Sequence, residues 1–330
     1  MGITVLSLFD GISCGMVALE RAGIEVDKYI AYEIEHNAIE ISKKNFPEIV
    51  RGGDVTKEDF TKYKGKIDIL IGGSPCQNLC SCGNRKGLEG EESRLFFDYV
   101  RALYETEAKW FLLENNATMT KENQDIITGI MGVEPIYINS NLLTAQERKR
   151  LYWTNIPDIK QPEDKGIFLR DIVQPREEKK EYECYKRMMA KKEGTLAHKK
   201  AWSQVKTLDQ KSRALTTAQN INNSGATNIK YSDTEYYILT PLECERLQTL
   251  PDNYTEGVSN TQSTEEKKTE EKTINANEVI EMQEKEKYEK KIAELERELK
   301  EKDKEISKIR GEMQTLKDRV FNILLEKACG

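Results

Sequence analysis

Short apolar runs alternate with segments of helical periodicity through the first half of the chain. Ile3-Thr4-Val5-Leu6-Ser7-Leu8-Phe9, Lys28-Tyr29-Ile30-Ala31-Tyr32, Ile67-Asp68-Ile69-Leu70-Ile71, Trp110-Phe111-Leu112-Leu113 and Tyr137-Ile138 read as strands. Between them, Met16 to Ala22 reads as a helix closed by Gly23, and Asn37 to Lys44 as a second that ends before Pro47. Leu95 to Tyr104 and Ile126 to Met131 supply two more. This rhythm predicts an α/β fold, a doubly wound Rossmann-like sheet that is largely parallel. After Pro157 the rhythm stops, and a charged stretch to Ser212 reads as a small insertion. Tyr236-Tyr237-Ile238-Leu239, with Thr240-Pro241-Leu242-Glu243 as a helix start, returns the chain to the main body.

From Ser263 the pattern changes again, and Glu and Lys dominate. Ile292, Leu295, Leu299, Ile306, Ile309, Met313, Leu316, Val320 and Ile323 recur at three- and four-residue steps, with Lys302 interrupting the seam. That period predicts a C-terminal coiled coil over 288–323 and a homo-oligomer formed through it. A single solvated helix is the competing reading, because charges are dense. The expected organisation is therefore a core over 1–156, an insertion over 157–212, a return to the core over 213–262, and a charged linker with coiled coil over 263–330.

Composition narrows the class. No apolar run approaches bilayer length, and the N-terminus lacks the basic region of a signal peptide, so no membrane association is expected. Seven cysteines without paired spacings point to a reduced intracellular compartment. Cys76, Cys80 and Cys82 cluster, but only His36 and His198 exist to complete a site, so no metal is expected. The net charge is −6, yet Tyr185 to Arg213 carries a local charge of +7, with Tyr185, His198 and Trp202 interleaved. A stretch of this kind is either a solvated surface or a phosphate-contacting module on an acidic body.

The candidate chemistry lies at strand ends. Gly72-Gly73-Ser74-Pro75-Cys76-Gln77 follows an apolar strand and holds a thiol where open α/β sheets do chemistry; a buried, inert cysteine is the alternative. Phe9-Asp10-Gly11-Ile12-Ser13-Cys14-Gly15 joins the first strand to the first helix, a turn suited to close approach of a ligand. Glu33 ends the next strand at the spacing where such folds place an acid for ribose hydroxyls, and Asp54 follows Gly52-Gly53. Glu114 ends the strand that begins at Trp110, where it reaches the same cleft as Cys76 or serves a turn. Gln146-Glu147-Arg148-Lys149-Arg150 precedes a strand and offers guanidinium groups for a phosphate or base.

Taken in order, these segments resemble the DNA (cytosine-5) methyltransferase family. Phe9-Asp10-Gly11, Glu33, Asp54, Pro75-Cys76-Gln77, Glu114-Asn115, Gln146 to Arg150 and Arg213-Ala214-Leu215-Thr216 carry the resemblance, which covers residues 1 to about 262. Phe9 to Ile12 and Arg94-Leu95-Phe96-Phe97 look like the branch that holds de novo animal enzymes and many phage and bacterial ones. The resemblance implies S-adenosyl-L-methionine as cofactor and double-stranded DNA as partner. It implies Cys76 as the nucleophile at C6 of a flipped cytosine, Glu114 at N3, and Arg148 and Arg150 positioning the base. Phe9, Asp10, Gly11 and Ile12 would contact the cofactor, Glu33 its ribose, and Ile34, Asp54 and Val55 its adenine. The 157–212 insertion corresponds to the target-recognition region. A host-modification or phage self-protection role follows, with cytosine-5 methylation of RNA and a catalytically impaired DNA-binding or assembly protein as alternatives.

Two departures from the family stand out. Asn116 replaces the usual valine after Glu-Asn, and no Gly-Asn pair follows Gln262. Three readings account for the second: a partner subunit supplies the missing element, Val320-Phe321-Asn322-Ile323-Leu324-Leu325 substitutes for it, or the chain is a fusion or truncation with impaired cofactor binding.

Overall fold

The computed structural model describes residues 2–74, 91–190, 193–195, 199, 202–215 and 227–257, leaving aside the side chains of 91–94 and of 187 and 188. All of these fall in the compact unit Met1–Ser259. The expected coiled coil and the rest of 263–330 lie outside the described residues, as do Pro75, Cys76 and Gln77.

A seven-stranded sheet forms the body. Its strands in chain order are β1 (Ile3–Leu8), β2 (Val26–Tyr32), β3 (Val50–Arg51), β4 (Ile69–Gly72), β5 (Trp110–Asn116), β6 (Ile136–Asn139) and β8 (Lys149–Thr154). They lie in the order β3-β2-β1-β4-β5-β8-β6. The pairs from β3 through β5 are parallel, and only β8 runs against its neighbours. The largely parallel sheet is as the alternating pattern predicts. Helices α1 (Cys14–Arg21), α2 (His36–Asn45), α3 (Glu91–Thr106) and α4 (Lys121–Met131) provide the crossovers. Leu6, Leu8, Leu70 and Leu113 are fully buried from consecutive strands, as expected where helices cover a parallel sheet.

Close packing at one glycine sets the position of α1. A β-carbon on Gly15 would fall 2.4 Å from Ile71 Cδ1 and 2.6 Å from the Tyr29 hydroxyl. The helix can press onto β4 and β2 only because Gly15 has no side chain. Its first turn is thereby brought to the carboxyl edge of the sheet.

Two strands extend further than their apolar residues suggest. β5 runs through Glu114 to Asn116, and β8 begins at Lys149, so Glu114 and Arg150 sit inside paired strands rather than at a strand end or before one. Polar residues close both strands because β8 supplies their hydrogen-bond partners, Asn116 lying opposite Arg150.

The insertion and the stretch that follows it together form a second, smaller sheet, one strand coming from 157–212 and two from 213–262. Strands β9 (Val205–Thr207), β11 (Asn228–Lys230) and β12 (Tyr236–Ile238) pair in the order β12-β11-β9. A short pair joins β7 (Gln146–Glu147) to β10 (Ser212–Arg213). Chain return is completed by α6 (Pro241–Leu247), which opens with a capping box: Glu243 N donates to Thr240 Oγ1 at 3.1 Å, and Thr240 N to Glu243 Oε2 at 2.9 Å.

Candidate active site

The loop after β1 is held in an unusual backbone conformation. Phe9, Gly11 and Ser13 all have φ near +60°, the left-handed region that a bulky residue such as Phe seldom adopts. Strain of this kind persists only where surrounding contacts enforce it. Here Asp10 is the anchor. Its Oδ1 accepts from the hydroxyls of Ser7 at 2.6 Å and Tyr29 at 2.7 Å, and its Oδ2 from Ser13 at 2.5 Å. Because Ser13 spends its proton on Asp10, Ser42 donates to Ser13 at 2.7 Å, and Arg51 in turn donates to Ser42 at 2.9 Å. Burial raises the Asp10 carboxyl above its ordinary range; the three hydroxyls oppose that and the charge of Glu33 adds to it. The Asp10 carboxylate thus organises the loop from within.

Glu33 ties this loop to the start of α2. Gly11 N donates to Oε2 at 2.8 Å, while Ile34 N and Glu35 N donate to Oε1 at 2.8 and 2.9 Å. Oε2, with a single donor, keeps a lone pair for a further one. Beside it, Ile34 is 73% exposed, an apolar surface at the carboxyl end of β2. Asp54, which follows β3, accepts from Thr56 N at 2.9 Å and lies 3.4 Å from Lys57. The Val55 side chain belongs to the core, and its carbonyl accepts from Arg101 at 2.8 Å.

A second cluster forms where β4 and β5 part. Their pairing ends at Gly72 opposite Leu113, so Glu114 is the first residue of β5 beyond β4. A β-carbon on Gly73 would sit 2.9 Å from Glu114 Oε2. The other oxygen, Oε1, pairs with Arg150 Nε. Next in sequence, buried Asn115 donates from Nδ2 to the carbonyl and hydroxyl oxygens of Ser74 at 3.3 and 3.4 Å. Consequently Glu114 and Asn115 both address the two residues that lead into Pro75-Cys76, although the thiol itself lies outside the described residues.

Arg148 completes the cluster from the turn before β8, where its N–H donates to Asn139 Oδ1 at 3.0 Å. Burial pulls its guanidinium pKa down, the Arg150 charge adds to that, and Glu114 opposes it; the group stays cationic. Tyr152, directly across from Glu114, has its phenol pKa pushed up by burial and by that carboxylate. Cys14 is an exposed thiol whose pKa is pushed up by crowding from surrounding protein and by Asp10, with Arg148 opposing. Arg148 is therefore within electrostatic reach of both the Asp10 loop and Glu114. Tyr29, Ser42, Gly73 and Tyr152 escape the sequence analysis. Only the Gly72-Gly73 doublet, required by close approach, carried a local sign.

The small sheet presents an aromatic cluster, in which Tyr185 stacks on Tyr236 at 5.7 Å and Trp202 meets the same ring edge-on. Within the basic stretch, Lys186 and Lys199 are exposed. Lys211 is committed to the body, bonding the Asn141 carbonyl and lying 3.6 Å from Asp164. A cavity of about 620 Å³ opens beside Ile12, lined in part by Tyr182, Leu239, Cys244 and Leu250. Burial pushes the Cys244 thiol up to about 12, which leaves it an inert wall of that cavity. Among the described residues no cluster of His, Cys, Asp and Glu is arranged to hold a metal, and no helix is long and apolar enough to cross a membrane.

The chain is similar to known methyltransferases. The family model for C-5 cytosine-specific DNA methylase matches residues 3–269. The type II methyltransferase M.Eco47II of Escherichia coli is 40% identical over 113 residues, which cover 34% of this chain and 27% of that protein. The orphan methyltransferase M.SPRI of Bacillus phage SPR is 33% identical over 187 residues, covering 52% and 42%. In both, the match takes in less than half of the relative's length. Among solved structures, the S. pombe Dnmt2 methyltransferase superposes with a TM-score of 0.59 at 19% identity, over 79% of this chain and 90% of that one, and so shares the fold.

Proposed function

The chain belongs to the C-5 cytosine-specific DNA methylase family, and from that premise we propose that it methylates C5 of cytosine in duplex DNA, using S-adenosyl-L-methionine. The observation that carries this reading is the seating of Glu114 between Arg150 and Gly73, the latter three residues before Cys76 in sequence. A carboxylate fixed by a guanidinium, next to the segment that leads in sequence to Cys76, suits a reaction in which a nucleophile adds to an electron-poor ring.

The chemistry assigned to each residue is the one that the family resemblance implies, and the placement of Glu114 and Arg150 supports it. Cytosine is unreactive at C5 until a nucleophile adds at C6, so the Cys76 thiolate forms a bond to C6 and electron density moves to C5. Glu114, taking up a proton, hydrogen-bonds or protonates the base at N3 and so stabilises the charge that builds up during the addition. Arg150 orients Glu114, and Arg148 contributes positive charge that favours thiolate over thiol. Once C5 has taken the methyl group that S-adenosyl-L-methionine would supply, with S-adenosylhomocysteine as leaving group, loss of the C5 proton to water and expulsion of the Cys76 thiolate would restore the aromatic ring. A stacked base is unreachable in this way, so the cytosine turns out of the duplex.

The residues along β1 to β3 suit the cofactor. The turned backbone of Phe9 to Ile12 leaves open space above Gly11, where a β-carbon would meet nothing within 4 Å. Glu33 keeps acceptor capacity for ribose hydroxyls, and exposed Ile34 offers a flat apolar contact for an adenine ring. Asp54 and Val55 follow the adjoining strand, β3. When bound there, S-adenosyl-L-methionine would supply an electrophilic methyl group on sulfur. Exposed Lys186 and Lys199, with the aromatic cluster behind them, support a DNA-facing role for the small sheet. The similarity to a type II methyltransferase and to an orphan phage methyltransferase supports a role in host modification or phage DNA protection, in the cytoplasm.

The test is incubation of the full chain with methyl-labelled S-adenosylmethionine and either mixed-sequence duplex DNA or transfer RNA. Label on DNA that disappears with Cys76→Ser supports the proposal. Label confined to RNA, or label on DNA that survives Cys76→Ser, overturns it.

A further inference from the structure

Tyr254 stands far from both clusters in sequence, yet it reaches the loop after β1. Its hydroxyl donates to the carbonyl of Ile12 at 2.6 Å, between the left-handed residues Gly11 and Ser13. The side chain is 3% exposed and packs with Phe46, ring centroids 6.5 Å apart, in the cluster that also holds Met16, Val17 and Tyr29. Burial raises the phenol pKa, so the group is a donor across the working range.

The segment that presents Tyr254 is itself constrained. Thr249 and Asn253 adopt left-handed φ. Buried Glu245 of α6 accepts from Asn253 N at 2.7 Å, Thr255 N at 2.7 Å and Thr255 Oγ1 at 2.5 Å. Lys44 of α2 donates to the carbonyls of Asn253 at 2.8 Å and Glu256 at 2.9 Å, and Asn45 donates to that of Tyr254 at 3.0 Å. At its other end α6 is fixed to the arginine strand region, because Thr144 Oγ1 and Gln146 Nε2 both donate to the Leu247 carbonyl at 3.0 and 3.1 Å. Connected hydrogen bonds and one short helix therefore join Gln146, two residues before Arg148, to Ile12.

We infer that Tyr254 is a positioning residue: it locks the Phe9–Ser13 loop in its ligand-ready backbone conformation and couples that loop, through α6, to the Gln146–Arg150 segment. Asp10 restrains the loop from the sheet side, and Tyr254 restrains it from the C-terminal side. A loop with three left-handed residues in five needs both, since either alone leaves half of the turn free to relax. The inference deepens the cofactor reading above and rests on it for its functional consequence.

Tyr254→Phe keeps the ring and removes only the hydroxyl. In the full chain, titration with S-adenosylhomocysteine is expected to give a Kd raised roughly five- to twentyfold, as for loss of one well-placed hydrogen bond. Amide exchange across residues 9–17 of the ligand-free variant is expected to accelerate. Phe46→Leu, which loosens the same apolar cluster but leaves the Tyr254 hydroxyl and its bond to the Ile12 carbonyl in place, serves as the comparison for packing alone; its Tm is expected to fall while Kd stays within twofold of the parent. The inference is overturned if Tyr254→Phe leaves both Kd and exchange at parental values, or if Phe46→Leu weakens binding as much. Failure of the parent chain to bind the analogue would instead sink the cofactor reading, and exchange across 9–17 would still decide whether Tyr254 holds the loop.

Discussion

Gly73 and Glu114 occupy space that a side chain on either neighbour would contest: the position of a β-carbon on Gly73 lies 2.9 Å from Glu114 Oε2. The approach lets a carboxylate from β5 rest against the end of β4, just before the candidate nucleophile. Gly73→Ala would push that carboxylate away while leaving the fold intact, because Glu114 is a flexible, partly exposed side chain. Methyl transfer is expected to fall by at least about tenfold with Tm lowered by only a few degrees. Parental activity in Gly73→Ala would show that the close approach has no catalytic role.

Arg150 holds the other oxygen of Glu114 through Nε, and its own side chain is 13% exposed. Arg150→Met keeps the length and loses the charge, freeing Glu114 to rotate. A drop of roughly 10²-fold in kcat, with cofactor affinity unchanged, is the expected outcome for losing the orienting partner of an electrostatic group. Arg150→Lys should recover little, since an ammonium cannot reproduce the Nε geometry. Single-turnover kinetics at saturating cofactor measures this, and full recovery by lysine would refute the geometric role.

Asp10 gives a pH signature. Its carboxyl is harder to ionise in the folded chain than its ordinary value of 3.8, chiefly through burial. The stabilising contribution of such a raised group is present below the unfolded value and is lost as pH rises through the folded one. Asn cannot ionise, and it can still accept from Ser7 and Tyr29. The stability of the parent relative to Asp10→Asn should therefore decline as pH climbs from about 4 toward neutrality, then level off. Urea unfolding of both proteins across that range reads the difference, and a flat or rising difference contradicts the assignment.

Local pattern carries the strands, the helix starts and the strand-end chemistry, because each rests on neighbours within one turn or one pleat. The start of α6 is an example: Thr240, Pro241 and Glu243 state a cap in four residues. Arg150 lies beyond that reach, since nothing apolar around Lys149 signals a strand whose partners are Asn139 and Asn116. The contacts that shape the site are longer still. Tyr29 meets Asp10 across 19 positions, Asn115 meets Ser74 across 41, and Tyr254 meets Ile12 across 242. Periodicity and spacing record which residues face inward, not which distant hydroxyl will satisfy a given carbonyl.

Residues 263–330 carry their own expectation, drawn from heptads between Ile292 and Ile323. The full chain should sediment as an oligomer at micromolar concentration, and Leu295→Asp with Leu299→Asp should return it to monomer. A monomeric parent chain would end that reading.

Lys179 and Glu243 form the most deeply buried ion pair among the described residues, both side chains 0% exposed and Nζ 2.7 Å from each carboxylate oxygen. Glu243 also accepts from Gln174 N at 2.8 Å and from Thr240 N at 2.9 Å, so it joins the insertion to the start of α6. The rings of Tyr231 and Tyr237 lie 5.8 and 5.7 Å from Nζ. Burial lowers the Lys179 pKa and Glu243 opposes that shift, the balance expected of a cation kept charged in the interior by one partner. Replacing both members by neutral groups costs less than removing one, because a single deletion strands a buried charge. Lys179→Met should destabilise the chain by about 3–5 kcal/mol, whereas Lys179→Met with Glu243→Gln should recover much of that loss, since glutamine still accepts from one backbone N–H. Urea denaturation of the two variants compares them directly. A loss below about 1 kcal/mol for Lys179→Met would mean that the pair contributes no more than a surface salt bridge, and that the insertion is held to α6 by its apolar contacts alone.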